Sequence, residues 1–353
     1  MGIARKYNVG GVGFEVVLEE PFKAMEYSPE VMQRILTARG GGIGLDIRPT
    51  RAGDDVPHRT LIQERSEVIP GQGRYALDLS QFEPFFADSD QAPAFRLTLC
   101  QGLENAPSLG KLITHLHDQD PFFSIYEDED CPRYVLDENP ETGEHAAILA
   151  MSRDFREGTL YVKEGVRSYG VVFELSTALM IMYTYNSAAH SRLLIHASIV
   201  RTDGPGGQAR IFLGKSGTGK STHSRLWLEN IPGAELLNDD NPVLGIENGK
   251  VTVFGSPWSG KTPCYRNVKA QVCAVVRLEQ APENKISRLQ GLEAYASIIA
   301  SSSAIRWSHA IMDNIHATAE KVVLGTNFYK LECLPNPDAA WLCHKTIQTD
   351  ICK

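Results

Sequence analysis

The pattern of apolar and polar positions is sharpest in the second half of the chain. Val171 to Ala189 is mainly apolar and long enough to predict a buried helix. Leu193 to Arg201 predicts a strand, Asp203-Gly204-Pro205-Gly206-Gly207 a turn, and Gln208 to Leu213 a second strand. A short helix is expected from Lys220 to about Asn230, ended by Pro232-Gly233. Glu235 to Leu237 predicts a third strand, running into Asp239 and Asp240. Val243 to Glu247 and Lys250 to Phe254 flank Asn248-Gly249, a dipeptide that favours the left-handed geometry of a tight hairpin.

The first 165 residues mix strand and helix signals. Phe14 to Glu19 predicts a strand. Ser28-Pro29 reads as a cap with proline in the first helical turn, opening a helix that stops at Gly40-Gly41-Gly42. Arg133 to Leu136 and Ala146 to Met151 flank Asn139-Pro140 and Thr142-Gly143, the pattern of a hairpin with a long turn. Leu160 to Lys163 is a further short strand. These readings divide the chain into a 1–165 α+β region and a 166–353 α/β region.

Composition narrows the function classes. Of 353 residues, 42% are hydrophobic and 22% charged, with a net charge of -8. That is a soluble globular profile, and the negative charge argues against a nucleic-acid partner. Seven cysteines occur without a CxxC pair, which points to reduced thiols. The most apolar stretch, Ser176 to Tyr185, is about half of the ~20 residues a membrane span needs. The expectation is a cytoplasmic protein with no membrane partner.

Chemistry concentrates after the second strand. Gly214-Lys215-Ser216-Gly217-Thr218-Gly219-Lys220-Ser221 fits G-x-x-x-x-G-K-[ST], with a strand before it and a helix after it. Glycines let the backbone wrap phosphate oxygens. Amide N–H groups and the helix N-terminus supply a positive concavity. Lys220 adds a full charge, and Ser221 offers a hydroxyl to Mg²⁺. The phosphate-binding positions are thus Gly214, Ser216, Gly217, Thr218, Gly219, Lys220, Ser221 and Thr222. Asp239-Asp240 is an adjacent carboxylate pair at a strand end, a placement that suits a cation or a proton transfer and also suits a solvated turn. Lys261 closes a glycine- and proline-rich segment, Phe254 to Lys261, of the kind that covers a ligand. His196, on the strand before the loop, reads first as structural. His115-x-His117-Asp118 lacks a third metal ligand. Gly40-Gly41-Gly42-Ile43-Gly44 does not complete a dinucleotide fingerprint, and Glu127-Asp128-Glu129-Asp130 reads as a solvated loop.

Taken in order, His196-Ala197-Ser198, the 214–221 loop, Asp239-Asp240 and Phe254 to Lys261 resemble the HPr kinase and ATP-dependent phosphoenolpyruvate carboxykinase superfamily. The loop GKSGTGKSTHS is similar to the carboxykinase GLSGTGKTTLS. The chain is much shorter than the carboxykinases and has no lysine around Thr177, where they place one, so the better match is a divergent HPr-kinase-like protein. The resemblance implies a P-loop kinase core with a mixed sheet and antiparallel hairpins, binding ATP with Mg²⁺ or Mn²⁺. It implies that His196 lies near the metal and the reacting phosphate. Asp240 is then metal ligand or proton acceptor, and Asp239 a supporting ligand. Lys261 would contact the transferring phosphate. The implied function is phosphorylation of a hydroxyl on a protein, peptide or small molecule. A carboxykinase-type lyase and a non-catalytic nucleotide sensor are the alternatives. The resemblance also implies homo-oligomers as an expectation.

Overall fold

A computed structural model describes residues 3–19, 79–116, 123–139, 141–163, 168–202, 204, 207–260, 263–303 and 309–351. The helix expected over residues 28–40, the glycines at 40–44, and His117, Lys261 and Thr262 lie outside them. The protein is a mixed α/β structure with two large sheets.

The first sheet holds β1 (Ile3–Val9), β2 (Val12–Leu18), β3 (Phe95–Gln101), β4 (Lys111–Leu116), β5 (Phe123–Asp128), β6 (Cys131–Leu136), β7 (Ala147–Met151) and β8 (Glu157–Val162). Their order is β1-β2-β3-β8-β7-β6-β5-β4. β3 runs parallel to β2 and β8, and the other pairs are antiparallel. The runs expected to form a hairpin, Arg133 to Leu136 and Ala146 to Met151, do pair, with Arg133 opposite Ala150 and Leu136 opposite Ala147. The acidic run at 127–130 is not an open loop. Glu127 and Asp128 end β5, and Glu129 and Asp130 turn tightly into β6 with φ of 50° and 62°. Cross-strand pairing of β5 with β6 fixes that register.

Helix α1 (Ser168–Ser187) follows. It packs on β3 and β8 of the first sheet and on the start of the second. Its Leu175, Ala178, Leu179, Met182 and Tyr183 are buried, the i, i+3, i+4 spacing of one helical face. None of the helices among the described residues is long and apolar enough to cross a membrane.

The second sheet holds β9 (Arg192–Leu194), β10 (Ala197–Arg201), β11 (Gln208–Leu213), β12 (Glu235–Asp240), β13 (Val243–Glu247), β14 (Lys250–Phe254), β15 (Lys269–Gln280), β16 (Lys285–Leu289) and β17 (Asn327–Cys333). The main path is β12-β10-β11-β15-β14-β13-β9, and β17 and β16 branch from the second half of β15. Helix α2 (Lys220–Asn230) joins β11 to β12. Helices α3 (Gly291–Ser301), α4 (His309–Gly325) and α5 (Pro337–Ile351) complete the chain order. β11 lies parallel to β15 at the centre. Helices α2 and α5 cover one face of the sheet, over Phe212, Val276 and Leu331. Helices α3 and α4 cover the other, over Ile211, Val275 and Phe328. Burial on both faces explains why β10 and β11 are mainly apolar and do not alternate with exposed polar positions.

The strand expected over 193–201 is two strands, parted at Ile195 and His196. β9 pairs with β13, whereas β10 pairs with β11 and β12. Three residue steps from Leu194 to Ala197 span at most about 11 Å, so the sheet path curls back on itself at this point. A change of pairing partner leaves no mark in an apolar run.

Candidate functional site

The sheet register assembles one end of the molecule. Ala197 pairs with Leu213 on one side and Asp240 on the other, and Ser198 pairs with Asp239. Leu213 is the last residue before Gly214. The glycine-rich loop, the residues after the β9–β10 break, and the acidic pair therefore share one rim of the sheet.

The loop is open at its tip. Lys215, Ser216 and Gly217 are exposed. Gly217 and Gly219 have φ of 79° and 106°, and nothing lies within 4 Å of where their Cβ atoms would sit. These are positions where the backbone needs glycine's freedom and where a ligand finds space. Gly219 caps α2 with no side-chain bond, so the first helical N–H groups face the concavity. Thr218 closes the turn on itself. Its N–H and its hydroxyl both donate to the carbonyl of Lys215, at 3.1 and 2.7 Å. The Lys220 ammonium donates to the carbonyls of Gly214 at 2.9 Å and Lys215 at 3.4 Å. Thr222 sits half-buried in the first turn of α2.

The acidic pair meets the start of α2. Ser221 Oγ donates to Asp239 Oδ1 at 3.1 Å. Asp240 Oδ1 lies 3.6 Å from His196 Nε2, too far for a hydrogen bond. In a regular strand adjacent side chains point to opposite faces, so two consecutive aspartates could not both address one ligand. Asp240 breaks that rule with φ of 132°. Its Oδ2 accepts a bond from Asn241 Nδ2 at 2.8 Å.

Electrostatics follow from burial. Burial pushes Asp240 up to about 6, with the Asp239 charge adding to the rise and Lys220 opposing it. Burial, then the Lys220 charge, pushes His196 down to about 4. Burial also lowers Lys220, while Asp240 and Asp239 hold it up. At neutral pH His196 is therefore uncharged and Asp240 ionised, so their proximity is not an ion pair. The arrangement can cradle an anion, hold a cation between hydroxyl and carboxylate, and take up a proton near neutral pH.

Of the residues singled out from sequence, the structure brings together the loop from Gly214 to Thr222, His196, Asp239 and Asp240. Ser198 ties the rim to α2 through a 2.6 Å contact between its hydroxyl and that of Ser224. His115 is elsewhere, bonded to Ser124 at 2.7 Å. Sequence reasoning missed three participants. Asn241 orients Asp240. Ser259 Oγ donates to the Asp239 carbonyl at 3.1 Å. Gln280, at the end of β15, donates to the Gly217 carbonyl at 3.2 Å. Asn241 and Ser259 adjoin residues already singled out; Gln280 carries no local signal.

The six described cysteines are free. Among the described residues no group of three or more His, Cys, Asp or Glu is placed to hold a metal ion. Two aspartates and a serine hydroxyl fit the alternative, a cation shared with phosphate oxygens.

No family model matches the sequence, and no curated protein matches it. Among solved structures, 63 chains match. One is the HPr(Ser) kinase/phosphatase from Coxiella burnetii, at 13% identity and a TM-score of 0.27, covering 44% of this chain and 95% of that one. A likeness that weak carries no argument about role or about individual residues.

Proposed function

We infer that the protein transfers the terminal phosphate of ATP to a hydroxyl, on a protein, a peptide or a small molecule. The observation that supports this most directly is the meeting of Ser221, Lys220, Asp239 and Asp240 at the mouth of an open glycine-rich loop. A nucleotide sensor needs the loop and one carboxylate. A second carboxylate, raised toward neutrality and forced to the same side by a reversed backbone, suits proton transfer.

In this reading the loop amides and the Lys220 ammonium bind the phosphates. Ser221 and Asp239 would hold Mg²⁺, which supplies neutralisation of the phosphate charge. Asp240 accepts the proton of the acceptor hydroxyl as that oxygen bonds to phosphorus. The bond from phosphorus to the bridging oxygen breaks, and ADP leaves. Uncharged His196 stays within reach of Asp240 without competing for the metal's charge. Lys261, two residues beyond Ser259, is proposed to approach the same phosphate. Positioning and electrostatics account for most of the catalysis.

The test is transfer of label from γ-labelled ATP to components of a cell lysate, with wild type, Asp240→Asn and Lys220→Ala compared. Asp240→Asn is expected to keep nucleotide affinity and to slow transfer by about 10²–10⁴-fold. Lys220→Ala is expected to weaken both. Normal transfer by the Asn variant would remove Asp240 from the role, and no transfer by wild type would remove the reading itself.

A further inference from the structure

We propose that Ser256 is a positioning residue that holds the reversed backbone at Asp240, and through it the orientation of the acidic pair. The inference rests on the phosphotransfer reading and deepens it.

A non-glycine residue at φ of 132° is strained and persists only where its surroundings over-determine it. Those surroundings converge on one hydroxyl. Ser256 is fully buried. Its single proton has two carbonyl acceptors in range, that of Asn241 at 2.6 Å and that of Trp258 at 3.0 Å, and the nearer is in the residue that follows Asp240. Its oxygen accepts from the Trp258 N–H at 3.2 Å and from Asn238 Nδ2 at 3.3 Å. One donation and two acceptances are the full capacity of a hydroxyl. Asn238 precedes the acidic pair and Asn241 follows it, so this one oxygen ties both flanks of Asp239-Asp240 to the 256–260 segment. The far end of that segment returns to the pair. Ser259 forms a bridge with Asp240, and its hydroxyl donates to the Asp239 carbonyl. The Gly260 N–H donates to the same carbonyl. Asn241, whose carbonyl Ser256 holds, is also the residue whose amide fixes Asp240 Oδ2.

Removing the hydroxyl leaves the Asn241 carbonyl and the Trp258 N–H short of partners in a buried place, while Asn238 Nδ2 keeps only its longer contacts, to the Ser256 and Trp258 carbonyls at 3.5 Å. The flank after Asp240 is then free to relax, and Asp240 can return to the opposite face of the strand. The phosphate loop and the bond from Ser221 to Asp239 do not touch Ser256, so nucleotide binding survives.

The experiment compares wild type with Ser256→Ala, Ser256→Cys and Ser256→Thr. Ser256→Cys is nearly isosteric and serves if the alanine variant does not fold. Crystal structures read the backbone at Asp240. Transfer of label from γ-labelled ATP to lysate components reads turnover, and calorimetric titration reads Mg-ATP affinity. In Ser256→Ala or Ser256→Cys, φ at Asp240 is expected to become negative. Turnover should fall by about 10–100-fold with affinity held within about threefold, since a misplacement near 1 Å costs up to that much. Ser256→Thr, which keeps the hydroxyl, should recover most of the rate. An unchanged φ in the variants overturns the proposal, whatever the rates do. A relaxed φ with unchanged turnover overturns it as well. If wild type itself transfers no label, the kinase reading fails, and the crystal structures still decide whether Ser256 holds Asp240.

Discussion

At the residue scale, a buried acid on α1 stands outside the proposed chemistry. Glu174, on α1, is almost fully buried, and its Oε2 has no hydrogen-bond partner among the described residues. Burial, then the nearby Asp137 charge, holds its carboxyl well above the usual carboxylate range. The sign of the consequence follows. In the unfolded chain Glu174 ionises near 4.5, while in the fold it keeps its proton to higher pH. Its contribution to stability is complete below 4.5 and is lost as pH rises toward the folded value. Glu174→Gln, which has the same shape and no proton to lose, should therefore match wild type near pH 4 and exceed it increasingly toward pH 8. Thermal melts of both proteins across that range check this; parallel curves would show that Glu174 is paired or solvated. The reversed Asp240 belongs to the same scale. Its candidacy as a site residue was legible, because two adjacent carboxylates after an apolar strand are costly without a use. Its φ was not legible, because it depends on Ser256 and Ser259, which the chain brings back only after the β13–β14 hairpin.

At the element scale, what could be read was local and what could not was a matter of partners. The β13–β14 hairpin forms in full register around Asn248-Gly249, whose φ values of 50° and 76° are the left-handed pair that dipeptide favours. Helix α2 spans Lys220–Asn230 as its stop signal predicts. The break at His196 was hidden, since both sides of it are equally apolar. So was the branching of β15, a 12-residue strand that pairs first with β14 and then with β17. The turn out of β14 makes a sharper claim. A Cβ on Gly255 would lie 1.9 Å from the Arg266 carbonyl oxygen, and the Gly255 N–H donates to the Val268 carbonyl at 2.8 Å. The obstacle is backbone, which cannot rotate away as a side-chain tip can. Gly255→Ala should force the 255–260 segment off the sheet and destabilise by about 3 kcal/mol or more, in the tail of single-substitution effects. Denaturant unfolding measures it. A loss under about 0.5 kcal/mol, typical of a surface change, would mean that the two segments are farther apart than described.

At the scale of the whole molecule, the two sheets are joined through one core. A single hydrophobic cluster runs from Tyr7, Phe14 and Phe95 of the first sheet, through Leu179 and Met182 of α1, to Ile211 and Val275 of the second. Polar contacts cross the same boundary. Tyr183 Oη donates to the Val9 carbonyl at 3.0 Å, and Arg192 Nε donates to the Gly10 carbonyl at 2.6 Å while its guanidinium stacks 4.8 Å from the Phe254 ring. Trp258, inside the segment that steadies Asp239 and Asp240, packs edge-on against Phe82 and is tilted over Tyr183 at 6.3 and 5.2 Å, with its indole N–H on the Ser176 carbonyl. Described residues among the first 165 thus pack against Trp258, in the segment that steadies the candidate site. Units that share a core unfold together, whereas separately cored domains melt apart. The protein should give one calorimetric transition with matching calorimetric and van't Hoff enthalpies. Phe82→Ala should lower that transition as a whole, by about 3–5 kcal/mol for a buried aromatic. It should also slow phosphate transfer, because the cavity it leaves lies against Trp258. Two resolved transitions, with Phe82→Ala moving only one of them, would mean that the first sheet is an independent domain and that the site is braced from the second sheet alone.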